Sequence, residues 1–204
     1  AEHLRRSIEV NRGRAVPGTA WLWARVWSGL YPEIVQAVSR VPFRPAACRE
    51  FARVSRSLER MAFGPPEGTA LKLLALFEAG LLEQGPFPAK LPENTILVDA
   101  VTPPAGVLGA PAPAGEPLSP LFAALLSAGE VSVRGAERGL LTDPDGTCID
   151  MHGNRNESLF ALGRPTEGPT LGHDTLNREL HDEPRLWAQH IIACCLPQHL
   201  GERT

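Results

Sequence analysis

Along the first 85 residues, apolar positions recur every three or four residues, the spacing of helices that bury one face. Between Arg49 and Met61 that face is Phe51, Val54, Leu58 and Met61, with Arg53, Arg56, Glu59 and Arg60 mainly opposite. Ile34, Val35 and Val38 mark a second helix within Pro32–Val41, and a dense apolar run, Leu71 to Phe77, marks a third over Thr69–Ala79. Phe63-Gly64-Pro65-Pro66 separates the last two, and Gly80 suits the stop. Trp21, Trp23 and Trp27 follow the turn Pro17-Gly18-Thr19; Trp23 and Trp27 lie four apart on one helical face and predict a docking or substrate-lining surface.

Near residue 94 the pattern changes. Thr95-Ile96-Leu97-Val98-Asp99-Ala100-Val101 is a β-branched run between Asn94 and Pro103-Pro104, and it predicts a buried strand. Pro103–Pro117 is Pro-, Ala- and Gly-rich and predicts a loop. Ser119-Pro120 supplies an N-cap and an N1 proline to a helix running to Ala128. Val131–Val133 predicts a strand, and Leu140–Ile149 a hairpin around Asp143-Pro144-Asp145-Gly146. Ser158–Gly163 predicts a strand that enters the glycine-rich stretch Arg164–Gly172. A helical region follows, divided by Pro184, with Asp182-Glu183-Pro184 as a new helix start. The fold class expected is α/β, with a mainly helical region over 1–90 and a short-stranded region over 91–204.

Composition narrows the picture. A chain of 204 residues with 43% hydrophobic and 21% charged residues can bury a real core. Its 20 prolines and 19 glycines predict short elements and long connections. A net charge of −3 gives no electrostatic reason to expect nucleic acid or an anionic membrane as partner. No run reaches the roughly 20 apolar residues of a membrane span. The four cysteines are scattered apart from Cys194-Cys195, which fits a reducing cytoplasm better than a disulfide framework.

The main chemical signal is the strand–glycine loop–helix unit over 158–180. A helix start presents unpaired N–H groups and partial positive charge, and glycines let a planar or anionic ligand approach. Gly163, Arg164, Thr166, Gly168, Thr170, Leu171, Gly172, Asp174 and Thr175 are the candidate cofactor-binding residues. For a flavin, such donors suit the pyrimidine edge, where charge accumulates on reduction. His173-Asp174 and His181-Asp182 invite comparison with metal-dependent His-Asp phosphohydrolases. On a continuous helix, however, residues eight apart lie about 80° apart and more than two turns along the axis. That spacing predicts helix-surface and capping roles instead. Cys194-Cys195 on an apolar helix reads as a pair of buried thiols. No residue qualifies as a catalytic acid, base or nucleophile.

Several segments resemble the two-dinucleotide-domain, FAD- and NAD(P)-binding flavoproteins, in particular a bacterial subgroup with helical insertions. They are Arg60–Pro66 with the helix ending Glu78–Leu82, then Asn94–Gly106 with Val98-Asp99-Ala100, then Gly139–Gly163, in that order. The resemblance covers most of residues 50–195 and implies the C-terminal part of a flavoprotein fold. It implies FAD as cofactor, NAD(P)H as reductant, and oxidoreductase or monooxygenase chemistry on a small molecule. The family's Gly-x-Gly-x-x-Gly fingerprint is absent from this chain. The FAD pyrophosphate would then be held by an N-terminal segment or a separate subunit, and the chain alone would be inactive. The competing expectation is a non-catalytic binding or assembly subunit derived from the same fold.

Overall fold

A computed structural model describes residues 1–42, 44–86, 91, 93–98, 100, 105–173 and 179–195, the last without its side chain. Among them are seven α-helices and one two-stranded antiparallel sheet. The fold is therefore mixed, with most of its regular structure helical. No described helix is long and apolar enough to cross a membrane.

The chain forms two compact units, and neither is a single stretch of sequence. The first comprises Ala1–Leu30 and Arg53–Thr102, the second Tyr31–Ala52 and Pro103–Thr204. The helices are α1 (Glu2–Asn11), α2 (Thr19–Gly29), α3 (Tyr31–Val38), α4 (Pro45–Ala62), α5 (Glu67–Glu78), α6 (Pro120–Ser127) and α7 (Glu183–Cys195). The unit boundary falls inside α4.

In the first unit α1 packs on α5. Arg5 pairs with Glu78 at 2.5 Å, and Arg12 with Glu67 at 2.6 Å. These pairs are partly exposed and contribute little beyond orientation. Ile8, Ala24, Trp27 and Ala70 are the buried apolar residues. On α2 the two tryptophans at helical spacing differ: Trp27 is 8% exposed and Trp23 59%. They do not share one open face. Arg25 lies over the Trp21 ring, 5.7 Å from its centroid.

The described part of the segment expected to be a buried strand is not one. Thr95–Val98 has no strand pairing, and Ile96 is 86% exposed. A β-branched run becomes a strand only where a neighbour supplies hydrogen bonds. Asp99, Val101 and Pro103-Pro104 lie outside the described residues.

The core of the second unit is Val107, Leu108, Val131, Leu140 and Cys148, with Phe122, Leu125, Leu126 and Leu159 packed against it. Most of these sit on irregular backbone, as the proline and glycine content requires, so the backbone groups pair loop to loop. Val107 N donates to Arg138 O at 2.7 Å, Leu140 N to Pro165 O at 2.9 Å and Ile149 N to Leu141 O at 3.0 Å. Val131–Val133 is therefore loop, not strand, with Val131 buried; Leu141 N donates to Ser132 O there at 2.9 Å. Ser119 caps α6 as its sequence predicts, accepting from Phe122 N, with Pro120 in the first turn.

The sheet pairs β1 (Thr147–Ile149) with β2 (Arg155–Phe160) across the turn at Asp150–Asn154. The hairpin expected around Asp143–Gly146 survives as a single bridge, Thr142 with Cys148. Arg155 bonds Asp143, Asp145 at 2.9 Å and Glu157 at 2.8 Å, and His190 of α7 adds a contact to Asp145 at 3.1 Å. Burial alone would raise the Asp145 pKa, but hydrogen bonds from Arg155 and Thr147 outweigh it and bring it to about 2.

Gly106 shows how tightly the loops meet. Its φ is +92°, and a Cβ there would lie 2.6 Å from the Arg138 carbonyl oxygen and 2.8 Å from its carbon. Gly153 has a similar φ of +85° with no atom within 4 Å. Gly153→Ala should therefore cost only the left-handed backbone, about 1 kcal/mol, and Gly106→Ala about 3 kcal/mol because the backbone must also move. Urea denaturation of both variants checks this; equal losses would mean that the 106–138 contact is soft.

Candidate functional site

Two of the second unit's buried ionisable residues, His173 and Glu183, come together where the end of α3, the glycine-rich loop and the start of α7 meet. Arg40 lies two residues beyond α3 with a φ of +64°, costly for a side-chain-bearing residue. Its backbone is held on both sides: Arg40 N donates to Pro169 O at 2.5 Å, and its carbonyl accepts from Arg134 at 3.2 Å. So fixed, the guanidinium donates through Nε to Thr142 O at 2.9 Å and through Nη2 to Glu183.

Glu183 is the first residue of α7, where the helix dipole favours a carboxylate. One oxygen accepts from Arg40 and the other meets His173 Nε2. The other ring nitrogen of His173, Nδ1, meets Thr166 Oγ1. The Thr166 hydroxyl donates to Gly163 O at 2.8 Å, which leaves its oxygen to accept from the imidazole. Glu167 completes the seat by accepting from His173 N at 2.5 Å and Gly172 N at 3.3 Å.

His181 stands edge-on to His173, ring centroids 4.1 Å apart at 71°. Its Nδ1 lies 3.9 Å from Glu183 Oε2, and its Nε2 is buried with no hydrogen-bond partner among the described residues. Burial, with the neighbouring His173, holds its pKa below the usual imidazole value despite Glu183. The Glu183 carboxyl also titrates low. Burial opposes that, but the bonds from His173 and Arg40 prevail.

The two histidines thus meet, contrary to the helical geometry expected for them. That expectation placed residues 173–181 on one helix. Instead the described residues on both sides of 174–178 are turn and bend, and α7 begins only at Glu183. Of the aspartates in the His-Asp doublets, Asp182 is an exposed partner of Arg185 at 3.2 Å, and Asp174 lies outside the described residues.

The glycine loop itself is packed. β2 leads to Gly163, and a short 3₁₀ turn follows at Arg164–Thr166. Thr166 and Thr170 are fully buried, and Leu171 N donates to Ser39 Oγ at 3.3 Å. Amides of 166, 167, 168, 170, 171, 172 and 173 all donate within the chain. A Cβ on Gly172 would lie 2.8 Å from Leu180 Cδ2 and 3.2 Å from the Tyr31 hydroxyl, so the close approach there is made by the chain's own side chains. Gly163 differs: its φ is +76° and no atom lies within 4 Å of a Cβ built there. Asp174 and Thr175, the expected helix start, fall outside the described residues.

Arg40, Glu167 and Glu183 were not legible as site residues. The only sequence signal was the spacing His173-x7-His181-x-Glu183 between Gly172 and Pro184, both helix breakers. Of the thiols, Cys148 is buried, which raises its pKa to about 11, Cys194 is exposed on α7, and the Cys195 side chain lies outside the described residues. No family model matches the chain, and no curated protein or solved structure is detectably similar to it.

Proposed function

We propose that this chain is the C-terminal, flavin-completing part of an FAD-dependent, NAD(P)H-linked oxidoreductase or monooxygenase acting on a small molecule. A segment or subunit bearing Gly-x-Gly-x-x-Gly holds the FAD pyrophosphate. The observation that carries the reading is Gly163, added to the ordered resemblance of the surrounding segments. A strand delivers the chain to a positive-φ glycine whose open face no packing contact explains. Glycine at such a point admits a flat ring against backbone. Because the amides of 166–168 and 170–173 are engaged internally, the flavin edge meets the loop on its Gly163 side. NAD(P)H reduces the flavin, and the reduced flavin passes electrons to substrate or dioxygen.

The test is to purify the chain alone and together with a fingerprint-bearing polypeptide encoded upstream, and to record flavin absorption. The expected result is a colourless chain and a yellow complex, with FAD affinity lowered at least about tenfold by Gly163→Val. Tight FAD binding by the isolated chain would remove the need for a second fingerprint. A yellow complex indifferent to Gly163→Val would remove the loop from the site. The alternative, a non-catalytic assembly subunit, draws on the exposed apolar residues of α2, Leu22, Trp23 and Val26. It predicts a complex without FAD.

A further inference from the structure

We propose that His173, His181 and Glu183 bind a divalent transition metal of the zinc class, clipping the glycine loop to the first turn of α7. One potential ligand atom from each of the three lies within 4.8 Å of the others. Nitrogen and carboxylate oxygen in this ratio suit zinc, cobalt(II) or nickel, whereas magnesium and calcium favour all-oxygen sites.

The surroundings prepare these groups as ligands. Thr166 accepts from His173 Nδ1, which directs Nε2 towards Glu183 and His181. A metal-bound imidazole ordinarily has such an acceptor behind it. Arg40 engages Glu183 Oε1 and leaves Oε2 as a monodentate ligand. His181 brings the independent observation: its buried Nε2 has no hydrogen-bond partner among the described residues, beside two side chains able to ligate a metal. An apolar residue would fill that space without an unsatisfied nitrogen, whose burial is costly. Binding breaks the His173–Glu183 contact, and the proton held there goes to solvent. Three protein ligands leave the fourth position of a tetrahedral ion to water.

The site is independent of FAD, so the two proposals fail separately. The experiment uses the tag-free, chelator-treated full chain titrated with cobalt(II) and zinc. Expected are one equivalent bound, cobalt(II) d–d absorption of a low-coordinate nitrogen–oxygen site, a raised melting temperature reversed by EDTA, and net proton release. His181→Gln should weaken zinc binding at least about 100-fold, since even outer-shell changes cost 10–100-fold, while His152→Gln, in the exposed turn after β1, should not. Should the His181 variant not fold, proton NMR of the cobalt(II) parent decides: two shifted, exchangeable imidazole N–H resonances are expected. No stoichiometric binding, parent-like zinc affinity in folded His181→Gln, or cobalt bound without two such resonances would each overturn the proposal.

Discussion

Glutamine in place of Glu183 should cost the chelator-treated protein about 3–5 kcal/mol of folding stability. The carboxylate is a buried acceptor shared by two donors, the Arg40 guanidinium and the His173 imidazole. Glutamine keeps the shape, removes the charge, and turns an amide N–H₂ towards one of those donors. A cation that is only about one-fifth exposed is then left without its counter-charge. Glu157→Gln is the comparison, because its carboxylate is more than half exposed; that variant should unfold indistinguishably from the parent. Guanidinium denaturation at neutral pH measures both. The pH dependence has a definite sign. The Glu183 pKa is depressed in the folded state, so its contribution is complete above the usual value of 4.5 and drains away as pH falls below it. The variant should therefore lose part of the parent's acid sensitivity. A loss below about 1 kcal/mol with an unchanged acid limb would mean that the cluster is a solvated surface pair.

Alanine at Trp27 should destabilise the protein by about 3–5 kcal/mol, and alanine at Trp23 by less than about 1. Both lie on α2 one turn apart, so helix propensity and local sequence hardly distinguish them. Burial does: Trp27 is 8% exposed and Trp23 59%. Removing the first indole leaves a cavity that the surroundings close only in part, whereas removing the second exposes little that was not already wet. Thermal and urea melts followed by circular dichroism separate the two. If a partner docks on α2, Trp23→Ala should weaken that association while leaving the melt unchanged. Equal destabilisation by the two substitutions would show that α2 is buried all round.

What could be read in the sequence was whatever short-range rules determine. The amphipathic helix predicted over Arg49–Met61 exists as Pro45–Ala62, the apolar helix over Thr69–Ala79 as Glu67–Glu78, and the Ser119-Pro120 start is in place. Each depends on periodicity or capping within one turn or two. Strands were less legible because pairing is non-local. Thr95–Val98 has β-branched residues but forms no strand, whereas Arg155–Phe160, of mixed polarity, is a strand because Thr147–Ile149 lies beside it. The histidine cluster was hidden for a related reason. Its geometry depends on the chain between Gly172 and Glu183 not being one continuous helix, so that residues eight apart meet edge-on, and on an arginine just beyond α3 that no local pattern connects to them.

That arginine also bears on how the chain is made. Arg40 and Glu183 are separated by 143 residues, and Val35 and Tyr31 of the helix just before Arg40 flank Gly172. At a translation rate of roughly 5–20 residues per second, α3 emerges on the order of ten seconds before α7 exists to receive it. Until residues 169–183 are made, the Val35 side, buried in the finished protein, lacks Gly172, and Arg40 lacks both the Pro169 carbonyl that holds its backbone and the Glu183 carboxylate that pairs with its side chain. The second unit thus cannot mature while its N-terminal piece is still leaving the ribosome. A nascent chain stalled before residue 183 should remain protease-sensitive between α3 and α4, and that sensitivity should vanish once α7 is released.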